Sequence, residues 1–458
     1  MKQKLETDYL IVGAGAMGFA FADEIIHASK DARVLVVDRR AKPGGHWNDA
    51  YPFVTLHQPA LFYGVNSEKL GSGGKDLVSR SQILGYYERV LKKLTATGRF
   101  RFLSQCDYAG TSEPERAHIT SQIAANLEYE VTVRKKTVDA SYMDVRVPAT
   151  TKPKYEISQD VRVVPINALA TIGRPYERYV VIGAGKTGID AALYLLECDV
   201  DPDRISWIMP NDSWFLNREK LQPKELARDF PAQLRAITEA DSLTGVFDRL
   251  ESENRLLRLD PSVWPKKYRC ATVTAEELDA LRRIRDVVRK GRVIRIDRSG
   301  IELTKGTLSF AGKSGTAENA ANADVLYIDC TADGLAKRPP CPIFNGTRVT
   351  LQSISMCQQV MSAAAIAAVE LRFVDDASKN EICQPVPHPE YAADYPHCLY
   401  ITFKNLDQLG RHLTRWTLGK RLSLGSHMGF FERIGFGIAA NRWMIRDPSH
   451  IEKLIEAG

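Results

Sequence analysis

The sequence has 458 residues, of which 44% are hydrophobic and 26% charged, a composition typical of a globular protein of two or three domains. Its formal net charge of +6 is spread along the chain, so we expect a small-molecule partner and no nucleic acid. We predict no membrane span, since no run of about 18 apolar residues occurs, and no secretory signal. The scattered cysteines favour a reducing cytoplasm. The eight cysteines have no C-x-x-C or paired spacing, which argues against a disulfide framework and a zinc site, and we predict no metal.

Residues 8–38 predict a strand, a tight turn, a helix and a second strand. The turn carries Gly13-x-Gly15-x-x-Gly18, in which the glycines permit the turn, the approach of a pyrophosphate, and close helix packing. The second strand ends on Asp38, where a carboxylate can accept both hydroxyls of an adenosine ribose. The alternative is a glycine-rich turn that binds nothing. The predicted cofactor contacts of this first unit are Gly13, Gly15, Ala16, Met17, Gly18, Asp38 and Arg39.

Residues 178–209 repeat the plan, with Gly183-x-Gly185-x-x-Gly188 in the turn. Met209 stands where the first unit has Asp38, and the missing acid favours NADPH over NADH because a carboxylate would repel the 2′-phosphate. Arg218 and Lys220 follow and could hold that phosphate; alternatively, they are surface charges before a helix. The predicted contacts of this second unit are Gly183, Gly185, Lys186, Thr187, Gly188, Asn211, Ser213 and Arg218.

The remaining segments predict a strand meander and a helical insertion. Residues 128–147 alternate as strands do, which predicts an antiparallel meander. Residues 220–290 are charged and predict helices, with a capping box at Thr274-x-x-Glu277 and a helix that continues to Gly291. The basic run 282–292 is interpreted as the solvated face of that helix. The insertion either covers a substrate entrance or forms a partner surface.

Two dinucleotide-binding units, the first with its acid and the second without, predict FAD in the first and NADPH in the second, and therefore a redox enzyme. The chain at this point resembles flavoproteins with two dinucleotide-binding domains, more narrowly the flavin-containing and Baeyer–Villiger monooxygenases. The resemblance rests on both glycine motifs, on Gly44-Gly45-His46-Trp47 and on Tyr51-Pro52. It implies an α/β fold with two Rossmann-like domains. Residues 1–168 and 325–458 would form the FAD domain, and 169–324 an inserted NADPH domain that includes 220–290.

The resemblance also implies further cofactor contacts. Loop 42–59, which contains the G-G-x-W segment, would run along the flavin, and the strand at 323–335 would end in a turn near it. The alternative for 323–335 is a plain buried strand followed by a turn. The contacts expected from these segments and from residues 138–140 are Gly45, His46, Trp47, Tyr51, Val138, Asp139, Ala140, Asp329, Thr331, Asp333 and Gly334.

Asn66 is the first catalytic candidate, because these monooxygenases have an asparagine near the flavin shortly after the G-G-x-W segment, and a carboxamide can both donate and accept hydrogen bonds. His46 and His57 complete the candidates. The competing interpretation of Asn66 is an ordinary turn residue. The expected activity is oxygenation of a small organic substrate by dioxygen through a C4a-(hydro)peroxyflavin.

Two departures keep other functions open. The F-x-G-x-x-x-H fingerprint is absent from residues 164–182, which weakens the Baeyer–Villiger interpretation, and no cysteine pair follows the first flavin loop, which argues against a disulfide reductase. The alternatives are a flavin-dependent NAD(P)H oxidoreductase without oxygen insertion and a non-catalytic FAD/NADPH redox sensor. The sequence also permits a homo-oligomer.

Overall fold

The computed structural model describes residues 2–71, 77–223, 225–310, 324–429, 431–435, 437–438, 450 and 453–454. The strands are β1 (Lys2–Val12), β2 (Val34–Asp38), β3 (Phe100–Ser104), β4 (Cys106–Gly110), β5 (Arg116–Ser121), β6 (Glu128–Asp139), β7 (Glu156–Ile157), β8 (Val163–Pro165), β9 (Arg178–Ile182), β10 (Ile205–Ile208), β11 (Ser213–Asn217), β12 (Leu256–Leu257), β13 (Lys267–Val273), β14 (Asp286–Val288), β15 (Val293–Asp297), β16 (Gly300–Leu303), β17 (Gly306–Leu308), β18 (Val325–Asp329), β19 (Phe344–Asn345) and β20 (Arg348–Thr350). The helices are α1 (Ala16–Ala28), α2 (Arg80–Ala96), α3 (Lys186–Glu197), α4 (Leu226–Glu239), α5 (Leu243–Ser252), α6 (Ala275–Arg282), α7 (Gln359–Arg372), α8 (Asp376–Ile382), α9 (Asp394–His412) and α10 (Thr414–Gly419).

The first sheet contains the predicted strand–helix–strand unit as β1, α1 and β2. Its strands lie in the order β19-β20-β6-β1-β2-β3, and β1 pairs in parallel with both β2 and β6. Every residue of β2 is buried, as expected for a central parallel strand covered on both faces. Helices α1 and α7 pack against each other on this sheet. The predicted α/β class with a Rossmann-like first unit is confirmed.

The second sheet is parallel throughout, with the order β14-β10-β9-β18-β8. It contains the predicted second unit as β9, α3 and β10. The predicted boundary at residue 325 is wrong, because Val325–Asp329 pairs with β9 and β8 and therefore belongs to this sheet. The chain rejoins the first sheet only at β19. Residues 311–323, on which part of that prediction falls, lie outside the described residues.

The meander begins and ends earlier than predicted. Strands β4, β5 and β6 pair antiparallel, and β6 ends at Asp139, so the residues from 140 to 147 are not part of it. Strand β6 also pairs in parallel with β1 from Glu128 to Asp139, and with β20 at residues 137–139. The meander is thus an extension of the first sheet.

The segment 220–290 is only partly helical. The capping box at Thr274 and Glu277 is confirmed, but α6 ends at Arg282 and not at Gly291. Asp286–Val288 instead forms β14, because pairing with β10 at the edge of the second sheet outweighs the local helical pattern. The basic run 282–292 is therefore not one helical face. Strand β13, also predicted as helix, pairs with β11.

Helices α4, α5 and α9 enclose a separate apolar cluster with β11 and β13. Trp214 stacks on Phe247, and Tyr395 packs against both Phe247 and Tyr268. The cluster fixes this layer beside the two dinucleotide units. In the described part of the chain, no helix combines the length and the apolar character that crossing a bilayer demands.

Candidate functional site

A cavity of about 1320 Å³ lies between the two sheets. Its lining includes the turn of the first glycine motif at Gly13 and Gly15 and the turn of the second at Gly183 and Gly185. Both turns follow the carboxyl ends of parallel strands, β1 and β9, which is where open α/β sheets bind their ligands. The two predicted cofactor loops therefore face one shared space.

The first loop is shaped by close backbone approaches. A Cβ on Gly18 would lie 2.1 Å from the Gly13 carbonyl oxygen, so the third glycine is needed for packing. Gly45 faces Gly15, and a Cβ on Gly45 would lie 3.0 Å from the Gly15 Cα. Gly15 is the N-cap of α1, and no side chain caps that helix. The helix therefore presents free N–H groups, which suit a phosphate.

Asp38 anchors this loop. Its Oδ2 accepts a hydrogen bond of 2.6 Å from the Ala14 N–H, and its Oδ1 accepts one of 2.7 Å from the Arg40 N–H. Asp38 also lines the cavity. The carboxylate thus joins the end of β2 to the glycine turn and leaves an acid at the position where a ribose would bind.

The second loop repeats the geometry with different anchors. A Cβ on Gly188 would lie 2.0 Å from the Gly183 oxygen, and Gly185 caps α3 without a side-chain bond. The Trp207 Nε1–H donates to the Gly183 carbonyl at 2.8 Å. Lys186 forms an ion pair with Asp190 one turn later. This loop is therefore held by an indole and is also open to a phosphate.

Loop 42–59 forms the wall between the two units. Gly44 and Gly45 both have positive φ, 115° and 57°, which carries the chain past the first glycine turn. Trp47 is buried and donates from Nε1 to the Tyr63 hydroxyl at 2.7 Å. The Tyr51 hydroxyl donates to Asp190 of α3. The wall is therefore rigid and bonded directly to the second unit.

The histidines of this wall are uncharged at neutral pH. Burial and the Arg40 guanidinium lower the pKa of His46 to about 4. Burial, Lys186 and Arg218 lower the pKa of His57 to about 3. Both side chains line the cavity, so they offer neutral hydrogen-bonding groups to a ligand.

Most of the predicted contact residues meet at the cavity. The lining includes Gly13, Gly15, Ala16, Met17, Asp38, Gly45, His46, Trp47, Tyr51, His57, Ala140, Gly183, Gly185, Lys186, Thr187, Asn211, Ser213, Thr331, Asp333 and Gly334. Their individual roles as cofactor contacts stay predictions. The predicted residues outside this lining are Gly18, Arg39, Asn66, Val138, Asp139, Gly188, Arg218 and Asp329.

Asn66 is bonded away from the cavity. Its Nδ2 donates to Glu24 at 2.8 Å, and its Oδ1 accepts from the Leu422 N–H at 3.0 Å. The carboxamide therefore joins α1 to the segment after α10, which is a structural arrangement. The catalytic role expected of Asn66 requires a different side-chain position.

Arg218 also lies outside the cavity lining and is bonded to protein groups. It is buried, and its guanidinium donates to Glu277 at 2.8 Å and to the carbonyl oxygens of Thr272 and His57 at 3.2 and 3.3 Å. Lys220 is likewise not among the described lining residues. Arg218 thus holds β13 against loop 42–59.

The remaining residues outside the lining support the strand ends. Arg39 pairs with Asp107 at the surface at 2.6 Å, and Val138 is fully buried in β6. The Asp139 carboxylate accepts from Ser141 N–H and pairs with Arg348. Burial raises the pKa of Asp329, whose Oδ1 accepts from Thr331 and Tyr155. These side chains position the turns that line the cavity.

The cysteine spacing argued against disulfides, but the structure has one at the cavity. Cys270 and Cys357, 87 residues apart in sequence, form a disulfide whose two residues line the cavity. His388 lies beside them, and one of its ring nitrogens and the two sulfurs all lie within 4.8 Å of one another. Local spacing could not reveal this pair, because β13 and the segment before α7 meet only in the folded chain.

The residues present fit dinucleotide ligands. Two uncapped helix N-termini and two glycine turns supply phosphate sites, and the cavity is large enough for extended ligands. Two lining residues also have a buried polar atom without a partner among the described residues, His57 Nδ1 and Gln358 Oε1. Unpartnered groups of this kind are typical of a binding site.

Comparisons with known proteins agree with this geometry. Residues 11–64 match the family model for an NAD(P)-binding Rossmann-like domain. Among solved structures, the polycyclic ketone monooxygenase of Thermothelomyces thermophila has a TM-score of 0.55 at 12% identity, over 100% of this chain and 88% of that chain. An oxidised steroid monooxygenase bound to NADP has a TM-score of 0.53 at 13% identity, over 96% and 98%. These similarities confirm the two-unit fold.

Sequence relatives are closer. Uncharacterized protein Rv2000 of Mycobacterium tuberculosis is 44% identical over 438 residues, which cover 92% of this chain and 78% of the relative. Uncharacterized protein Mb2023 of Mycobacterium bovis matches to the same extent. The chain therefore belongs to the family of these mycobacterial proteins and has the fold of flavoprotein monooxygenases with two dinucleotide-binding domains.

Proposed function

We propose that this protein is an FAD-dependent oxidoreductase that is reduced by NADPH and oxygenates a small organic substrate. One observation carries the proposal: the two glycine turns open into one cavity of about 1320 Å³. Dinucleotides bound at both turns would bring their reactive rings into the same space, as hydride transfer requires.

The two turns support different cofactors. Asp38 gives the first turn an acid for a ribose with free hydroxyls, as in FAD. Met209 occupies the matching place in the second unit and is buried, so no carboxylate opposes the 2′-phosphate of NADPH there. The steroid monooxygenase of similar fold was solved with NADP. These features support FAD in the first unit and NADPH in the second.

Bound flavin would supply the redox chemistry by accepting a hydride from NADPH and reacting with dioxygen. The chain's own residues bind, orient and exclude water. Trp47 and Tyr51 form a rigid cover, and Tyr51 is fixed by its bond to Asp190. Neutral His46 and His57 can donate or accept a hydrogen bond without adding charge to the cavity.

Anaerobic reduction followed by an oxygen pulse tests the proposal. Purified holoenzyme is mixed with NADPH or NADH without oxygen, and flavin absorbance is followed; we expect faster bleaching with NADPH. ¹⁸O₂ is then admitted with a panel of sulfides, amines and ketones, and products are examined by mass spectrometry. Incorporation of one ¹⁸O atom supports the monooxygenase. NADPH binding without bleaching contradicts an oxidoreductase and favours the redox sensor.

An oxidoreductase without oxygen insertion is the second candidate. It is favoured by the bonding of the Asn66 carboxamide to Glu24 and Leu422, and by the missing F-x-G-x-x-x-H fingerprint. In that case NADPH would bleach the flavin, an artificial acceptor would support anaerobic turnover, and no product would contain ¹⁸O. Stoichiometric hydrogen peroxide release after the oxygen pulse would point the same way.

A further inference from the structure

The Cys270–Cys357 disulfide connects the parts of the chain that follow the two dinucleotide-binding units. Cys270 lies on β13, which pairs with β11, the strand that follows the second unit. Cys357 lies between β20 and α7, and β20 belongs to the first sheet. The Cα atoms are 6.7 Å apart, within the span that a disulfide bridges. The bond therefore joins the sheet formed by β11, β12 and β13 to the segment that leaves the first sheet.

Cys357 also lies on the ligand-binding side of the first sheet. Thr350, the last residue of β20, is in register with Asp139 at the end of β6, and Asp139 is in register with Val12 at the end of β1. The chain leaves β20 on the same sheet edge as the first glycine turn and reaches Cys357 seven residues later. Both cysteines line the cavity that the two turns share.

The backbone at both cysteines is strained. Cys270 has φ of 54° and Cys357 has φ of 59°, in the left-handed region that residues other than glycine rarely adopt. Such conformations persist only where the surrounding structure imposes them, and they are concentrated at functional sites. Both ends of one disulfide share this property.

The surroundings suit thiol chemistry. His388 lies within 4.8 Å of both sulfurs and is exposed to the cavity. Desolvation by the surrounding protein and the Arg269 guanidinium lower its pKa to about 4, so the ring is neutral and can accept a hydrogen bond from a thiol. Three cations gather on one carboxylate beside the pair: Glu390 is bonded by Lys267, Arg269 and Lys337 at 2.6, 2.8 and 2.5 Å. Excess positive charge favours a thiolate.

We propose that Cys270 and Cys357 are a redox-active pair that takes two electrons from NADPH inside the shared cavity. The proposal rests on the proposed function, because the flavin passes those electrons on. NADPH and one proton convert the disulfide to two thiols and yield NADP⁺; the S–S bond breaks, and each sulfur gains one hydrogen. The holoenzyme then stores four electrons, two in the flavin and two in the cysteines.

An anaerobic NADPH titration of the holoenzyme, followed by denaturation in iodoacetamide and peptide mass spectrometry, tests this. Two equivalents of NADPH are expected per flavin, and Cys270 and Cys357 change from unlabelled to labelled during the titration. The double variant Cys270→Ser/Cys357→Ser is expected to take one equivalent. Cys198→Ser, which removes an exposed free cysteine, is the control and keeps two.

The outcomes separate this inference from the proposed function. Complete flavin bleaching with both cysteines still unlabelled overturns the inference and leaves the proposed function standing. If NADPH does not bleach the flavin, the proposed function is contradicted. The flavin is then reduced with light and EDTA. Labelling of Cys270 and Cys357 after this treatment supports electron transfer from the flavin to the cysteines, and its absence overturns the inference. Labelling by iodoacetamide in untreated protein, together with stoichiometric chelatable zinc, also overturns the inference. The labelling experiment on wild-type protein remains decisive even if the double variant does not fold.

Discussion

The two dinucleotide-binding units share one backbone plan but anchor their glycine turns differently. In the first unit, Asp38 accepts the Ala14 N–H at 2.6 Å, so a carboxylate holds the turn and also lines the cavity. In the second unit, Trp207 donates to the Gly183 oxygen at 2.8 Å, and Met209 is buried where the acid would be. The shared backbone conformation thus determines where a phosphate can bind. The presence of Asp38 or of Met209 favours a ribose with free hydroxyls or one with a 2′-phosphate.

Charge near the second turn is also arranged differently. Asp212 follows β10 closely, but Arg289 binds both of its oxygens at 2.8 and 2.9 Å. This acid is therefore neutralised and buried, whereas Asp38 receives only backbone N–H groups. An acid close in sequence to a glycine motif is not equivalent to one that faces the ligand.

Alanine at the third glycine of each motif is expected to have the largest effect. Gly18→Ala and Gly188→Ala each place a Cβ at 2.1 or 2.0 Å from a backbone oxygen, so the helix must move away from its strand. Overpacking of this kind costs at least about 1–3 kcal/mol, or roughly tenfold to hundredfold in affinity. Gly18→Ala is expected to lose FAD, and Gly188→Ala to retain FAD but bind NADPH weakly. Flavin content and NADPH titration measure the two effects.

The control for these variants is Gly85→Ala. Gly85 lies within α2, and its nearest neighbour would be the Arg89 guanidinium at 3.9 Å, so a methyl group is tolerated. We expect a gain in stability of about 0.5–1 kcal/mol from the better helix former, with both cofactors bound. Parallel loss of both cofactors in Gly18→Ala and Gly188→Ala would contradict the separate assignment of the two units.

Asp38→Asn tests the acid anchor. The variant replaces one charged acceptor with an amide that must face an N–H group, so the bonds to Ala14 and Arg40 are weakened. The expected bond to the ribose also loses its charged acceptor, and hydrogen bonds to charged groups contribute about 1.5–3 kcal/mol, so FAD affinity is expected to fall roughly tenfold to hundredfold. Equilibrium dialysis against FAD measures the change. An equal fall in NADPH affinity would mean that the anchor serves the whole fold.

The parts of the structure that sequence reasoning predicted are those coded by local periodicity. The strand–turn–helix–strand pattern placed Gly13, Gly15 and Asp38, and the same pattern placed Gly183 and Gly185, at one cavity. Glycine has few alternatives at these backbone positions, so its spacing is a specific signal. The capping box at α6 is equally local.

The parts that were missed depend on contacts between distant segments. Val325–Asp329 looks the same in sequence whether it joins the first or the second sheet, and only pairing with β9 decides. The sequence pattern of Asp286–Val288 continues that of the preceding helix, but in the structure these residues pair with β10. Cys270 and Cys357 have no local motif, so their pairing follows only from the packing of β13 beside the segment before α7.

Asn211→Asp tests the missing acid of the second unit. Asn211 is exposed, lines the cavity, and lies two residues after Met209, so an aspartate there adds a negative charge near the expected 2′-phosphate. Repulsion of about 1 kcal/mol across solvent would lower the preference for NADPH over NADH by roughly fivefold. The ratio of kcat/KM for the two coenzymes measures it. Asn345→Asp adds the same charge at an exposed site in β19 and should leave the ratio unchanged.

Glu390→Gln should give the smallest effect, a change in the free energy of unfolding. It tests the charges on one side of the cavity against those on the other. The wall of the first unit carries neutral His46 and His57, whereas Glu390 binds three cations near β13. Burial alone would raise the pKa of Glu390, but hydrogen bonds from Lys267, Lys337 and Arg269 outweigh it and lower the pKa from 4.5 to about 2.

A carboxyl whose pKa is lower in the folded state stabilises the protein above its unfolded pKa, and this contribution is lost as the pH falls through the folded pKa. Wild type is therefore expected to exceed Glu390→Gln in unfolding free energy by about 1 kcal/mol or less above pH 5, since solvent screens the partly exposed group. The difference should disappear between pH 4.5 and about 2. Urea unfolding at a series of pH values measures it, with the exposed Glu381→Gln as control. If the difference in unfolding free energy between wild type and Glu390→Gln instead grows as the pH falls, the three cations do not lower the pKa of Glu390. The proposed excess of positive charge beside the cysteines would then have to be abandoned.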